Sequence, residues 1–581
     1  MADFAVSRQP VLAQRYIRSG LTAWALILAS LHATAQTPTP PSTHKAWWDG
    51  AVIYEIYPRS FQDSNADGVG DLKGITQRLD YIKQLGVDAI WLTPIYPSPQ
   101  VDFGYDISDY TAIDPLYGTM NDFEHLMAEA KKRHIRVIMD LVLNHTSDQH
   151  PWFVESASSR SNPKREWYIW RDGLAKAEGS MVAPNNWVNR IEQSAWRFFP
   201  ETGQFNYHYY APEQPDLNWR NPEVQAAMFR VVRFWLDKGV DGFRLDAINT
   251  LFEREDLRDE APVPGTNEYG EPSLSMIYQR NLPEVHDVMR NLRQLTDSYP
   301  GDRLLIGEVY TKTTAEFAAW YGSKGEELQL PMDTNIGFLN KLDAAEFRKL
   351  LTEAESIPRR TPLFVFDNHD RPRSWDRYGD GVHNLEIAKV LATILLASRS
   401  SALIYQGEEL GMDTATPSRK ENVRDPRGIA GWPKEKGRDG ERTPMQWNTG
   451  SNAGFSAAAK TWLPVEDNAR LFNVQAEVAQ PGSLLRWYES LLRLRKENAQ
   501  LLSGEISFLD HDAQGALVWI RKRLREDSCE AGVLVANNLT AEPIVLDLKA
   551  DLHREQVAAT SVTRVLCSFS CEKVMHIERI V

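Results

Sequence analysis

Three carboxylates stand at the ends of short apolar runs of the kind that form strands. Asp246 ends the run VDGFRLD, Glu308 ends LLIGE, and Asp370 ends FVFDNHD. Cleavage of an acetal needs one carboxylate that attacks or stabilises an oxocarbenium-like carbon, and a second, protonated one that helps the leaving oxygen depart. The three residues together indicate glycoside chemistry, whereas any one of them alone is equally typical of a strand-end cap or an ion pair.

Consecutive members of this trio are 62 residues apart. Only a fold that gathers successive strand ends around one point can bring them together, and a parallel βα barrel does this. From residue 47 to about residue 407, short β-branched runs alternate with helix-like segments, which is the pattern of βα units. We predict eight strands, at residues 51–57, 87–92, 135–141, 240–246, 303–308, 328–332, 363–366 and 402–405.

The remaining segments define the domain organisation. Roughly 95 residues separate the third and fourth strands, far more than a usual βα loop, and they are rich in Trp, Tyr, Asn and Pro. We therefore predict an α/β fold, a (β/α)8 TIM barrel over residues 47–503 with an inserted subdomain at 144–218. Short alternating strands follow the barrel and predict a C-terminal antiparallel β domain at 504–581.

The N-terminus has the three parts of a secretory signal peptide. Arg8, Arg15 and Arg18 precede the apolar run LTAWALILASL, and an Ala-x-Ala site ends at Ala35. The run is too short to span a bilayer as an anchor. We predict a signal peptide at 1–35, a disordered leader at 36–46 and a periplasmic or secreted protein. An ordinary N-terminal helix is the alternative.

Composition narrows the class of partner. The net charge is −14 and the chain has no Lys/Arg-rich run, which argues against nucleic acid because that affinity comes largely from basic side chains. We expect a neutral oligosaccharide ligand, no organic cofactor and no membrane partner after signal removal. The three cysteines, Cys529, Cys567 and Cys571, permit one disulfide or free thiols, and the spacing does not decide between them.

The fourth predicted strand places two charged side chains on one face. Side chains alternate along a strand, so Arg244 and Asp246 point the same way while Phe243 and Leu245 face the helices. A neighbouring cation lowers a carboxyl pKa, which predicts an ionised, nucleophilic Asp246. Glu308 ends an almost wholly apolar strand, where desolvation favours the protonated form that a general acid needs.

Four motifs in order resemble those of the α-amylase superfamily of glycoside hydrolases (family 13), and within it the α-glucosidases and other oligosaccharide-acting enzymes. They are DLVLNH at 140–145, GFRLD at 242–246, GE at 307–308 and NHD at 368–370. The resemblance implies that Asp246 is the nucleophile, Glu308 the acid/base and Asp370 the residue that holds sugar hydroxyls. It also implies retention of the α configuration.

The same resemblance implies a set of sugar ligands. His145, Arg244 and His369 would contact the terminal sugar, and Tyr210 would form a wall of the pocket. Asp102 and Tyr105 resemble a hydroxyl-clamping carboxylate and a stacking aromatic residue, and Arg438 resembles the partner of Asp102. Such a pair closes the pocket behind one sugar, which predicts exo-action.

Specificity is less constrained by the sequence. Ala247 follows Asp246, and in the resembling enzymes a small residue there accompanies α-1,4 preference. We expect hydrolysis of maltose and short malto-oligosaccharides, with transglucosylation as a side reaction. A transferase or isomerase such as trehalose synthase or sucrose isomerase is the alternative, and a catalytically silent homologue is disfavoured because the whole trio is present.

A loop after the first strand has the spacing of a Ca²⁺ site. The segment DSNADGVGD at 63–71 places oxygen ligands at alternate positions with glycine at the sixth. The resembling family holds a structural Ca²⁺ or Mg²⁺ in this loop. The implied ligands are Asp63, Asn65, Asp67, Asp71 and the Val69 carbonyl; a loop closed by Asx turns is the alternative.

Overall fold

The computed structural model describes residues 46–176, 180–267, 270–357, 362–509, 515–522, 524–525, 528–529 and 532–555. Its central element is a closed parallel barrel of eight strands, labelled β1 to β8 in chain order, in which β8 pairs with β1. All eight predicted strands are present, with ends shifted by one or two residues. The strands are Val52–Ile56, Ala89–Leu92, Arg136–Val142, Gly242–Asp246, Leu304–Glu308, Leu330–Asp333, Leu363–Val365 and Ser401–Tyr405.

Each barrel strand contributes to two cores, because alternate side chains point to opposite faces. Ile53, Trp91 and Ile306 belong to a core inside the barrel, whereas Phe243 and Leu245 belong to the core between strands and helices. The main helices are Leu72–Gln77, Leu79–Leu85, Met120–Lys132, Pro222–Asp237, Val285–Asp297, Thr314–Ala319, Ala344–Glu355, Asn384–Ala397 and Leu484–Glu497.

Local sequence explains where two of these helices begin. Thr119 and Asp122 form a capping box at the start of Met120–Lys132, each side chain satisfying the other residue's backbone N–H. Pro222 occupies the first turn of Pro222–Asp237, where its missing N–H costs nothing, and the Asn221 side chain accepts from the Glu223 N–H.

The insertion after β3 contains the helix Pro151–Ser158 and an antiparallel sheet of three strands, Trp170–Asp172, Gln204–Tyr207 and Trp196–Phe199. Aromatic residues, including Trp187, form its own small core. After the barrel, Glu505–Phe508, Ala516–Lys522 and Val533–Asn538 form a second antiparallel sheet. The predicted fold class is therefore confirmed.

Some predictions fall on residues that the structure does not describe. The signal peptide and all but the last residue of the leader lie outside the described residues, as do Cys567 and Cys571. Export and disulfide pairing therefore stay predictions. Among the described helices, none is long and apolar enough to cross a membrane.

Glu477 gives the fold a pH-dependent stability. Its side chain lies at the junction of two helices, only 3% exposed, where one carboxyl oxygen accepts from the Leu485 N–H at 2.8 Å. The other oxygen has no hydrogen-bond partner among the described residues. Burial raises the pKa of Glu477 from 4.5 to about 8, so folding must either keep its proton or bury its charge.

The Tm of the Glu477→Gln variant is expected to fall less with rising pH than the Tm of the wild type. A raised folded pKa contributes stability that is fully present below pH 4.5 and is lost as pH rises through about 8. The variant should match the wild type near pH 4.5 and exceed its Tm by a few degrees near pH 8.5, measured by calorimetry. Glu505→Gln, at an exposed strand position, is the control, and parallel Tm curves for wild type and Glu477→Gln would contradict the expectation.

Candidate active site

Arg244 lies at the centre of three carboxyl groups at the carboxyl end of the barrel. It is 1% exposed; its Nη2 atom lies 2.7 Å from Glu308 Oε2, and its Nη1 atom donates directly to Asp246. The same Nη1 atom lies 3.4 Å from Asp140 Oδ2. One guanidinium thus spans Asp246 and Glu308, which fits the separation of about 5 Å that retaining glycosidases need.

The predicted net lowering of the Asp246 pKa by Arg244 is wrong. Burial raises the pKa of Asp246 well above its ordinary value, and Glu308 raises it further, so that together they outweigh the lowering by Arg244. Burial likewise raises the pKa of Asp140 to about 6. Asp140 and Asp246 are buried together beside the Arg244 cation, so each resists losing its proton, and the titration of one depends on the charge of the other.

Two further groups contact Glu308. The Tyr310 hydroxyl donates to Glu308 Oε1 at 2.6 Å, and the Ala247 N–H donates to Oε2 at 3.3 Å. Ala247 reaches this position in the left-handed region, with φ of 52°. The carboxyl group of Glu308 is therefore fixed in orientation at both oxygens.

Arg438 connects Asp370 of the trio with two further aspartates, Asp102 and Asp425. Its guanidinium lies 2.6 Å from Asp102 Oδ1, 2.9 Å from Asp370 Oδ1 and 2.8 Å from Asp425 Oδ2. Arg442 adds a second cation, 2.7 Å from Asp370 Oδ1. Burial alone would raise the pKa of Asp370, but the contacting cations Arg438 and Arg442 hold it well below its usual range, so Asp370 is an anion.

The remaining predicted sugar ligands contact one another or neighbouring residues of the site. The ring of Tyr105 stacks on His369 at 5.4 Å, and its hydroxyl lies 2.7 Å from His369 Nε2. His145 Nε2 lies 3.0 Å from Gln214 Nε2, and the His145 ring lies 5.2 Å from that of Tyr210. The fold thus brings together all ten residues predicted for catalysis and sugar binding.

Both histidines are uncharged. Burial lowers the pKa of His145 to about 3 and that of His369 well below its ordinary value, despite the neighbouring Asp370. Glu55 contacts Nδ1 of His369, which orients the ring toward the pocket. Neutral imidazoles can both donate to and accept from sugar hydroxyls.

Several contributors to this site were not predicted as site residues, among them Glu55, Tyr310, Asp425 and Arg442. Glu55 and Arg442 had usable signals, since Glu55 is a charge inside the apolar strand VIYEI and Arg442 lies in the same segment as Arg438. Asp425 and Tyr310 had no usable signal. Asp425 belongs to no periodic pattern, and nothing in the sequence distinguishes Tyr310 from other aromatic residues in loops.

The loop predicted to hold Ca²⁺ or Mg²⁺ is closed by its own hydrogen bonds. Asp63 Oδ1 accepts from the N–H groups of Asn65 and Ala66, at 2.9 and 2.7 Å, and Asp67 Oδ1 accepts from the Val69 N–H at 2.8 Å. Asp71 accepts from the Ser64 N–H at 2.8 Å.

The oxygen donors of this loop are chemically suited to Ca²⁺, but they are directed at backbone N–H groups. No group of three His, Cys, Asp or Glu residues in the described part of the chain is arranged to hold a metal. The Asx-turn alternative accounts for the contacts that the loop makes, and the metal stays a prediction.

Comparison with known proteins supplies the family. Residues 55–504 match the family described as alpha amylase, catalytic domain. The chain belongs to the α-amylase family. It is 43% identical to a probable alpha-glucosidase of Rhizobium meliloti over 477 residues, 80% of this chain and 85% of the relative.

Two further relatives are similar over comparable lengths. An oligo-1,6-glucosidase of Parageobacillus thermoglucosidasius is 40% identical over 499 residues, 81% of this chain and 87% of that one. The crystal structure of an alpha-glucosyl transfer enzyme, XgtA, superposes with a TM-score of 0.79 at 40% identity, covering 86% and 92% of the two chains. The protein is a glycoside hydrolase of the α-glucosidase branch of this α-amylase family.

Proposed function

We propose that this α-amylase family member is a retaining, exo-acting α-glucosidase that releases terminal α-1,4-linked glucose from maltose and short malto-oligosaccharides. The observation that supports exo-action best is the contact of Arg438 with Asp102 and Asp370. These ion-paired groups offer several fixed hydrogen-bond partners to the hydroxyls of one sugar. A sugar extended in that direction would have to displace them.

The chemistry follows from the positions of Asp246 and Glu308. The Asp246 carboxylate attacks the anomeric carbon as the glycosidic C–O bond breaks, and the Glu308 proton passes to the leaving oxygen. Glu308 then takes a proton from water, whose oxygen displaces Asp246 and releases glucose with the α configuration. Arg244 contacts both carboxyl groups and so holds the nucleophile and the acid/base residue in a fixed arrangement.

Glucosyl transfer is the second candidate, and likeness to the alpha-glucosyl transfer enzyme favours keeping it. Hydrolysis and transfer share the glucosyl-enzyme and differ in whether water or a sugar attacks it. The α-1,4 preference is proposed from Ala247 alone, whereas relatives named oligo-1,6-glucosidase make isomaltose the necessary comparison substrate.

Product analysis tests this proposal. With maltose, isomaltose, sucrose and trehalose, we expect glucose from maltose to appear fastest, with larger oligosaccharides only at high substrate concentration. A maltoheptaoside blocked at its nonreducing end should resist cleavage, because the closed pocket admits only a free chain end. Internal cleavage of the blocked substrate as fast as cleavage of maltose would replace the exo proposal with an endo-amylase.

A further inference from the structure

A cavity of about 540 Å³ adjoins the acid/base candidate. Tyr310, which donates to Glu308, forms part of its wall. Asn249 and Thr250, which follow the Asp246 strand end by three and four residues, form another part. The departing oxygen must lie at Glu308 to receive its proton. A leaving group or acceptor whose oxygen lies at Glu308 would therefore extend into this cavity.

The wall of this cavity is basic, in contrast to the chain as a whole. Arg190, Arg280 and Arg427 line it against two acidic residues, Glu192 and Glu435, whereas the complete protein carries a net charge of −14. Glu435 pairs with Arg427 at 3.2 Å. The charged residues that line the cavity therefore carry a net positive charge, whereas the net charge of the chain is negative.

The charges of these arginines are only partly paired within the described part of the chain. The buried Nε of Arg427 has no hydrogen-bond partner in the part of the chain that the structure describes. No described carboxylate lies within 4 Å of the Arg190 or Arg280 guanidinium. Arg280 Nε donates to the Met276 carbonyl at 3.0 Å, and the Arg280 side chain also hydrogen-bonds to the Tyr209 side chain. A guanidinium supplies donors only, so three of them suit a ligand rich in acceptors better than a plain sugar hydroxyl.

The basic wall of the cavity lies close to the catalytic carboxylates. An anion beside Glu308 and Asp370 would be repelled unless cations lay nearby. Arg190 and Arg427 both act electrostatically on Asp370, so they are close enough to offset that repulsion. Arginine also matches the geometry of carboxylate and phosphate through paired N–H donors.

We propose that this cavity selects leaving groups and acceptors that carry an anionic substituent, a carboxylate or a phosphate, over neutral ones. The inference rests on the proposed glucosidase function, since it names the class of leaving group and acceptor that the cavity beside Glu308 would take. It places no anion in the terminal-glucose pocket, where Asp102 and Asp370 stand.

The test compares two substrates that differ in one group. Maltobionate ends in a carboxylate and maltitol in an alcohol, and both have an open-chain leaving group. We expect wild-type kcat/KM to be about tenfold higher for maltobionate, the effect of one charge-assisted contact. Maltose phosphorylated on its reducing glucose, compared with maltose, tells whether phosphate is taken as well as carboxylate.

Variants connect the preference to the cavity. Arg190→Gln and Arg280→Gln should each lower the maltobionate-to-maltitol ratio severalfold, and Arg190→Lys should restore part of it. Arg258→Gln is the matched control, because Arg258 pairs with Asp256 and does not line the cavity. Added salt should weaken the wild-type preference by screening. A wild-type ratio of one or less would overturn the proposal.

Equilibrium binding separates this inference from the proposed function. Calorimetry of maltobionate and maltitol with Glu308→Gln requires no turnover, and we expect the anionic ligand to bind about tenfold more tightly. If maltose is not hydrolysed but this difference is present, the proposed function fails and the anionic preference stands. Equal binding of the two ligands would overturn the preference whatever the catalytic result.

Discussion

Replacement of Asp246 by Asn or of Glu308 by Gln is expected to lower the turnover of maltose by several orders of magnitude and to change Tm by only a few degrees. Each substitution keeps the volume of the side chain and removes one chemical role, nucleophile or acid/base. A loss of about 1.4 kcal/mol of transition-state stabilisation corresponds to a tenfold lower rate. Steady-state kinetics on purified variants measures the effect.

The two variants should differ in their dependence on the leaving group. Fluoride ion leaves α-glucosyl fluoride without needing a proton. Glu308→Gln should therefore retain far more activity on glucosyl fluoride than on maltose. Asp246→Asn should lose both activities alike, since the nucleophile serves every substrate. Glu477→Gln, another buried acid outside the site, is the control. Activity within tenfold of wild type on maltose in either variant would refute the role assigned to that residue.

Removal of Arg438 should have the second largest effect. The Arg438→Ala variant is expected to lose about 10² to 10³ in kcat/KM, because three aspartates would lose the cation that they share. Asp370 would keep only Arg442, so its pKa should rise and the acidic limb of the pH profile should move to higher pH.

A pair of comparison variants separates charge from geometry at this position. Arg438→Lys keeps the charge but cannot reach Asp102, Asp370 and Asp425 at once, so it should recover only part of the activity. Asp102→Ala should raise KM and lower kcat together by less than Arg438→Ala does, because Asp370 and Asp425 keep their arginine. Kinetic constants for Arg438→Ala within tenfold of wild type would show that the three contacts are not needed to hold the sugar.

The barrel and the face of each catalytic side chain were predictable because strand periodicity is local. Arg244 and Asp246 share a face in any strand that contains GFRLD, and the structure places Phe243 and Leu245 on the other side. The proximity of Asp102 and Arg438, which are 336 residues apart, could not be predicted from local periodicity. It came from resemblance to a family and not from the physics of the sequence.

Electrostatics was the part that the sequence could not supply. The presence of Arg244 beside Asp246 predicted a lowered pKa, but the opposite shift depends on burial and on Glu308 and Asp140, which only the folded barrel brings close. In the same way, the spacing of Asp63, Asn65 and Asp67 suggested metal ligands. Whether their oxygens turn toward an ion or toward the loop's own N–H groups is a matter of three-dimensional geometry.

In the proposed mechanism, Asp246 forms a covalent bond to glucose in every turnover. The most direct measurement is intact and peptide mass spectrometry after incubation with a fluorinated glucosyl fluoride that is attacked rapidly and hydrolysed slowly. We expect one added fluoroglucosyl group per chain, located on the peptide that contains Asp246 and absent from the Asp246→Asn variant. An adduct on another residue, or continued turnover of the reagent by Asp246→Asn, would contradict it.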